Sequence, residues 1–217
     1  MKFPTFSTPA VYAISPEFET DAELFAWVES LLQSPCPIVQ YRDKTHQTPQ
    51  KLARAHVLRE ITKAHNTIFI INDSLLLTLK ANADGVHLGK NDGSLFLARQ
   101  LLGKNKILGA SCYSSLKNAQ IAEKLGADYV AFGAVFPSPT KPQAPQVALS
   151  KIALAKMALN IPVCAIGGIT PENAAQVLKS GVDFIAISPA LLDSPKISVN
   201  AIQSLFRAKV ATNDNKH

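Results

Sequence analysis

The sequence predicts a single-domain (β/α)8 TIM barrel over residues 1–217, and three observations carry that prediction. Short apolar runs alternate with longer amphipathic ones, the pattern of βα repetition around a parallel sheet. The chain has 217 residues, 47% of them hydrophobic, which suits one large core, since α/β barrels run to about 200–250 residues. Polar side chains collect just after the apolar runs, where barrels of this kind carry their chemistry. A doubly wound open sheet is the alternative architecture. No G-x-G-x-x-G follows the first run, which argues against a dinucleotide site.

Taken in order, the strand candidates are Val11–Ile14, Pro37–Tyr41, Thr67–Ile71, Gly85–Leu88, Lys106–Gly109, Tyr129–Phe132, Ile161–Ile166 and Phe184–Ile187. Each is short, and several are rich in β-branched or aromatic residues, as strands buried on both faces are. The first helix is expected over Asp21–Leu32, with Leu24, Phe25, Val28, Leu31 and Leu32 on one face. Thr48 reads as a cap followed by Pro49 at the first helical position, opening a helix that runs to Ala64. Ser94 and Ser115 read as caps of helices ending at Leu102 and Leu125, the latter before Gly126. A further helix is expected from Thr170-Pro171-Glu172-Asn173 to Ser180. The polar tail from Ala211 to His217 is expected to fray.

Composition excludes several classes. No apolar stretch approaches the ~20 residues of a membrane span. Met1–Phe6 has one lysine and no long apolar run, so export is not expected and a cytoplasmic location is. Cys36, Cys112 and Cys164 are odd in number and widely spaced, which reads as reduced buried thiols and not as a zinc site. The net charge of +6 is scattered without a block of like charges. Such a balance suits steering of small polyphosphate substrates better than a nucleic-acid partner. Oligomeric state is left open, a homo-oligomer included.

The polar residues at the expected rim sort into groups. Gly133–Lys141 reads as a loop leaving a buried strand, stiffened by Pro137 and Pro139 and carrying Ser138, Thr140 and Lys141. A rigid loop with hydroxyls and an ammonium is suited to gripping phosphate. Arg42 and Lys44 alternate along an extended segment and can point the same way, with Asp43 turned away to pair structurally. Arg42 can fork across phosphate oxygens while Lys44 acts as a point charge. Gln40 shares their face at a deeper level, where an amide can read a heterocycle's nitrogen edge or be satisfied within the core.

Asp73 and Asp92 follow neighbouring strands and could face each other across a Mg2+ ion bridged to diphosphate. They could instead cap the helix near Ser74 and form the Asn91-Asp92-Gly93 turn. Gly167 and Gly168 let a backbone approach an anion closely, and Ser188 can add a hydroxyl. His87, alone in an apolar strand, reads as a satisfied core residue. With two anion sites, and without an evident strong base, the rim suits a substitution in which diphosphate is helped off and a second phosphorylated substrate attacks.

The segments Gln40–Lys44, Ile71–Asp73, Ala83–Gly89 with Asp92, Gly109–Ser111, Gly133–Lys141 and Ala165–Ile169, in this order over nearly the whole chain, resemble the thiamine-phosphate synthase/thiazole tautomerase family. The resemblance implies a barrel that joins hydroxymethylpyrimidine diphosphate to a thiazole phosphate, releasing diphosphate through a pyrimidine carbocation. It implies small-molecule substrates, a Mg2+ cofactor, no nucleic acid and no membrane. By motif position, Gln40, Tyr41, Arg42, Asp43, Lys44, Asn72, Ser111 and Lys141 would bind the pyrimidine diphosphate. Of these, Arg42, Lys44, Ser111 and Lys141 would take part in catalysis. Asp73 and Asp92 would hold the metal, and Ser138, Pro139, Thr140, Gly168, Ile187 and Ser188 the thiazole phosphate. The chain departs from the family pattern at Lys90-Asn91, at Cys112-Tyr113, after Lys141 and at Pro189.

Two rivals remain at this stage: the tautomerase branch of the same family, and a non-catalytic phosphate-binding barrel. The first need not keep the pyrimidine-diphosphate and metal residues. The second would need the glycine loop but not Asp73, Asp92 and Lys141 together.

Overall fold

A computed structural model describes residues 9–137 and 145–214, with side chains as far as residue 206. Eight parallel strands close into a barrel in sequence order: β1 (Ala10–Ile14), β2 (Ile38–Tyr41), β3 (Ile68–Asn72), β4 (Gly85–Leu88), β5 (Ile107–Tyr113), β6 (Tyr129–Phe132), β7 (Val163–Ile166) and β8 (Phe184–Ile187). Helices α1 (Asp21–Leu32), α2 (Thr48–Ala64), α3 (Leu75–Lys80), α4 (Leu95–Leu102), α5 (Leu116–Lys124), α6 (Leu149–Ala158), α7 (Ala174–Leu178) and α8 (Pro195–Asp214) follow the strands in turn.

Strand alternation divides the core in two. Tyr12, Ile14, Ile38, Ile70, Ile107, Tyr129, Cys164 and Phe184 fill the barrel interior. Their neighbours Val11, Ala13, Val39, Tyr41, Phe69, Ile71, Val130 and Ile185 pack outward beneath the helices. Gly85 is required by a close approach: a Cβ there would strike Ile107, with Cβ to Cβ at 2.6 Å. No described helix is long and apolar enough to cross a membrane. All three cysteines are free and buried. Burial pushes the Cys36 and Cys112 thiols up to about 12.

One device recurs at the entrance of alternate strands. Asp84, Asp128 and Asp183 each precede an even-numbered strand. Each carboxylate accepts the amide of the preceding strand, from Phe69, Leu108 and Val163 respectively. Each also meets a cation from the helix that leads into that preceding strand: Arg59 of α2, Arg99 of α4 and Lys156 of α6. Their own amides donate back to the same strands. These clamps fix strand register at the end of the barrel remote from the expected site.

Several elements differ from expectation. The cap of α2 is Gln47, without a side-chain bond, and Thr48 lies inside the helix. The face of α1 buries Trp27, whose indole donates to the Leu191 carbonyl at 2.7 Å, while Phe25 is only partly buried. β5 runs four residues beyond Gly109, so Ser111 and Tyr113 belong to the strand and not to a loop after it. The Thr170–Asn173 segment is a turn, and α7 starts only at Ala174. Asn173 closes that turn, accepting the Thr170 amide and donating to the Gly168 carbonyl.

Candidate active site

The carboxyl ends of the strands surround a cavity of about 320 Å3. Its wall includes Ile14, Arg42, Ser111, Tyr113, Ala131, Gly168, Ile187 and Ser188, contributed by six of the eight strands or the segments after them. On one side, the chain leaving β6 runs beside the chain leaving β7. Val135 and Phe136 amides donate to the Ile166 and Gly167 carbonyls at 3.0 Å. Gly167 (φ 101°) and Gly168 (φ 63°) adopt the left-handed backbone, and a Cβ on Gly168 would meet the Phe136 and Pro137 carbonyl oxygens. Conformation and proximity both demand glycine here. Ser138, Pro139, Thr140 and Lys141, expected at this mouth, lie outside the described residues.

On the other side, β2 ends at Tyr41, so Arg42 and Lys44 lie beyond the strand and are not held by its pleat. Arg42 is held by its neighbours instead. Ser15 Oγ accepts the Arg42 amide at 2.9 Å, and Glu17 pairs with the guanidinium at 2.6 Å. Glu17 also accepts the Lys44 amide at 3.2 Å. No sequence motif marks Glu17, and its role is visible only once the β1–α1 segment folds over the mouth.

Tyr41 and Asp43 do not reach the cavity. Tyr41 points outward beneath the helices. Its hydroxyl donates to Asp43 at 2.7 Å, and Asp43 also binds His46 and Arg54. Burial would raise the Asp43 pKa, but the His46 amide, the Tyr41 hydroxyl, the His46 ring and the Thr45 amide more than offset it and hold the carboxyl well below the usual range. Strand alternation explains why Tyr41 turns away while Gln40 faces inward, and beyond the strand the bonds to Tyr41, His46 and Arg54 hold Asp43 away from the cavity.

Asp73 and Asp92 come together. Lys44 Nζ is 3.1 Å from Asp73 Oδ2. Partial burial, and then the Asp73 carboxyl beside it, raise the Asp92 pKa against the opposing pull of the Gly89 amide and Lys44. Ser74, not Asp73, caps α3, accepting the Leu77 amide. Asp73 itself has φ 63°, a costly conformation for a non-glycine residue that aspartate tolerates better than most. Asp92 does stabilise its own turn, since Oδ2 accepts the Gly89 amide at 2.8 Å.

No group of three or more His, Cys, Asp or Glu suited to a metal occurs among the described residues. Two adjoining carboxylates are nonetheless the donor set that Mg2+ takes, since it fills its remaining positions with water and phosphate oxygens. Their mutual repulsion is the strain that a divalent cation would relieve. Asn72, at the end of β3, lies in register with His87.

Deeper in the barrel, five polar side chains join. Gln40 is buried, and its Nε2 donates to the Tyr12 hydroxyl at 2.8 Å. The Tyr12 and Tyr129 hydroxyls are 2.7 Å apart. His87 Nδ1 lies 2.9 Å from the Tyr129 hydroxyl, and its Nε2 lies 2.8 Å from Ser111 Oγ. His87 is thus satisfied within the core as expected, but its partners are polar and one of them lines the cavity.

Burial lowers the His87 pKa from 6.5 to about 4. Above pH 6.5 neither the folded nor the unfolded chain protonates this ring. Between 6.5 and about 4 only the unfolded chain does, so stability contributed by the neutral ring is lost as pH falls through that window. The loss is on the order of 3 kcal/mol by pH 4. Urea unfolding of wild type and His87→Gln at pH 7 and pH 4.5 checks it: wild type is expected to weaken more than the variant.

A closed (β/α)8 barrel with cations, paired carboxylates and a glycine turn at the carboxyl ends of its strands belongs to the class of barrel enzymes that act on small molecules. Residues 11–191 match the thiamine monophosphate synthase family, and the chain belongs to that family. Thiamine-phosphate synthase of Thioalkalivibrio sulfidiphilus is 44% identical over 186 residues, covering 85% of this chain and 88% of that protein. The same enzyme of Thiobacillus denitrificans is 44% identical over 201 residues, covering 92% and 95%. Among solved structures, thiamine phosphate pyrophosphorylase from Pyrococcus furiosus superposes with a TM-score of 0.82 at 31% identity, covering 92% of this chain and 96% of that one.

Proposed function

We propose that this barrel is a thiamine-phosphate synthase that joins hydroxymethylpyrimidine diphosphate to a thiazole phosphate. The observation that carries the reading is the placement of Asp73, Asp92 and Lys44 on one side of a mouth whose other side is the Gly167–Gly168 turn with Ser188. Two anionic substrates need two such sites. In the reaction the bond between the pyrimidine methylene carbon and the diphosphate oxygen breaks, and its electron pair leaves with diphosphate. The thiazole nitrogen then gives its lone pair to that carbon, forming the new C–N bond.

Roles for the chain's residues follow from their chemistry. Lys44, and Arg42 once released from Glu17, meet the departing diphosphate, with Lys141 as a third cation on the family motif. Charge placed where negative charge develops lowers the barrier. Asp73 and Asp92 would hold Mg2+, which supplies Lewis-acid stabilisation of the leaving group when bound. Gln40, Asn72 and Ser111 orient the pyrimidine. Gly168, Ile187 and Ser188, with Ser138, Pro139 and Thr140, seat the thiazole phosphate against backbone amides.

Incubating the full chain with both precursors and Mg2+ tests the reading. Diphosphate and thiamine phosphate are expected in equal amounts, and absence of diphosphate release would refute it. Gly168→Ala is expected to raise the thiazole-phosphate KM about tenfold with little change for the pyrimidine diphosphate, because a Cβ at positive φ displaces the Phe136–Pro137 backbone. Steady-state kinetics in each substrate separately check that split.

A further inference from the structure

The polar run through the barrel interior has a direction. Gln40 Nε2 can only donate, so the Tyr12 hydroxyl accepts there and places its single proton on the Tyr129 oxygen. Tyr129 in turn has His87 Nδ1 within 2.9 Å as an acceptor for its own proton. A neutral imidazole that accepts at Nδ1 carries its proton on Nε2, and that proton goes to Ser111 Oγ. Ser111 lines the cavity, and its own proton is then left to donate into it. The opposite direction would give the buried Tyr12 hydroxyl two donors and leave its proton without an acceptor, at a real cost.

The fold is built around this run. His87, Gly109 and Tyr129 are register partners on adjacent strands. A Cβ on Gly109 would fall within the Tyr129 phenol, 2.5 Å from Cε1, so glycine alone lets that ring occupy the barrel axis beside His87. The two ring centroids are 5.5 Å apart. Burial keeps both phenols protonated and the imidazole neutral, the state that the one-way order needs.

We propose that Tyr12, Tyr129 and His87 are positioning residues that link Gln40 to Ser111 through a one-way chain of donors, fixing the Ser111 hydroxyl as a donor to the pyrimidine. The idea rests on the synthase reading for its substrate but not for its structure. An acceptor edge on a heterocycle, such as a ring nitrogen, is what a fixed donor recognises. A ring that presents N–H at that edge leaves the Ser111 proton without this acceptor and binds less tightly.

The test uses the full chain labelled with 15N. Long-range 1H–15N correlation at neutral pH is expected to show His87 protonated on Nε2, and an Nδ1–H tautomer would overturn the proposal. Tyr12→Phe removes the directing link without touching His87. It is expected to give mixed His87 tautomers and to lower kcat/KM for the pyrimidine diphosphate about tenfold, leaving the thiazole-phosphate KM unchanged. A purely structural role for Tyr12 would leave the His87 signals unmoved, and that result, or an unchanged kcat/KM, would overturn the proposal. Wild type without synthase turnover would refute the function, while its His87 tautomer would still decide the relay.

Discussion

Asp92→Ala is expected to lower Mg2+-dependent turnover by about 100-fold or more, the scale of removing one preorganised charge-stabilising group. The effect should be selective because Asp92 has two separable jobs. One is to accept the Gly89 amide and hold the turn after β4. The other is to stand beside Asp73, whose carboxyl disfavours the ionised state of Asp92. Losing the first costs about 1 kcal/mol, too little to unfold the barrel. Losing the second removes half of the carboxylate pair that would hold the ion.

Asp92→Asn separates the two jobs, because an amide oxygen can still accept the Gly89 amide while the charge is gone. Asn is therefore expected to keep wild-type thermal stability and to lose Mg2+ dependence as Ala does. The measurement is rate against Mg2+ concentration for the three proteins, with melting curves alongside. Wild-type rates in both variants would remove the metal role from this pair and leave diphosphate departure to the cations alone.

The barrel was legible because each strand is buried on both faces and each connection is amphipathic, so apolar runs and helical faces alternate without interruption. Its rim was legible for a related reason: a polar residue directly after a fully apolar run has nowhere to go but the mouth. Asp73 adjoins Asp92 there, and Lys44 reaches Asp73. What sequence order hides is contact at long range. Tyr12 and Tyr129 lie 117 positions apart and read as core aromatics, with nothing local to show that their hydroxyls join. β5 runs past the expected end at Gly109 to Tyr113, because a polar side chain such as Ser111 at the end of a strand can face the site without breaking the strand. Glu17 carries no pattern of its own. Arg54, a cation in the middle of an amphipathic helix, looks like part of a solvated face and is instead almost completely buried.

That buried guanidinium predicts the largest loss of stability. Arg54 bonds to Asp21 at 2.7 Å, to Asp43 at 3.2 Å, and to the Phe18 and Glu19 carbonyls at 3.1 and 3.0 Å. Its side chain is 1% exposed and that of Asp43 is 3% exposed. Truncation leaves a buried carboxylate without its cation and two carbonyls without a donor, a loss of about 3–5 kcal/mol. Arg54→Ala is accordingly expected to lower Tm by about 10 °C, read by calorimetry or urea unfolding.

Arg54→Lys should recover only a small part, since one ammonium cannot reproduce a fork that serves four acceptors. The loss should also reach the mouth. Phe18 and Glu19 flank the segment that carries Glu17, and Glu17 holds Arg42 and the Lys44 amide in place. Loosening that segment is expected to raise the KM for the pyrimidine diphosphate and to leave the thiazole-phosphate KM alone, because the glycine turn lies on the far side of the cavity. A variant with wild-type Tm and wild-type KM would mean that the α2 face and the mouth are not coupled through Arg54.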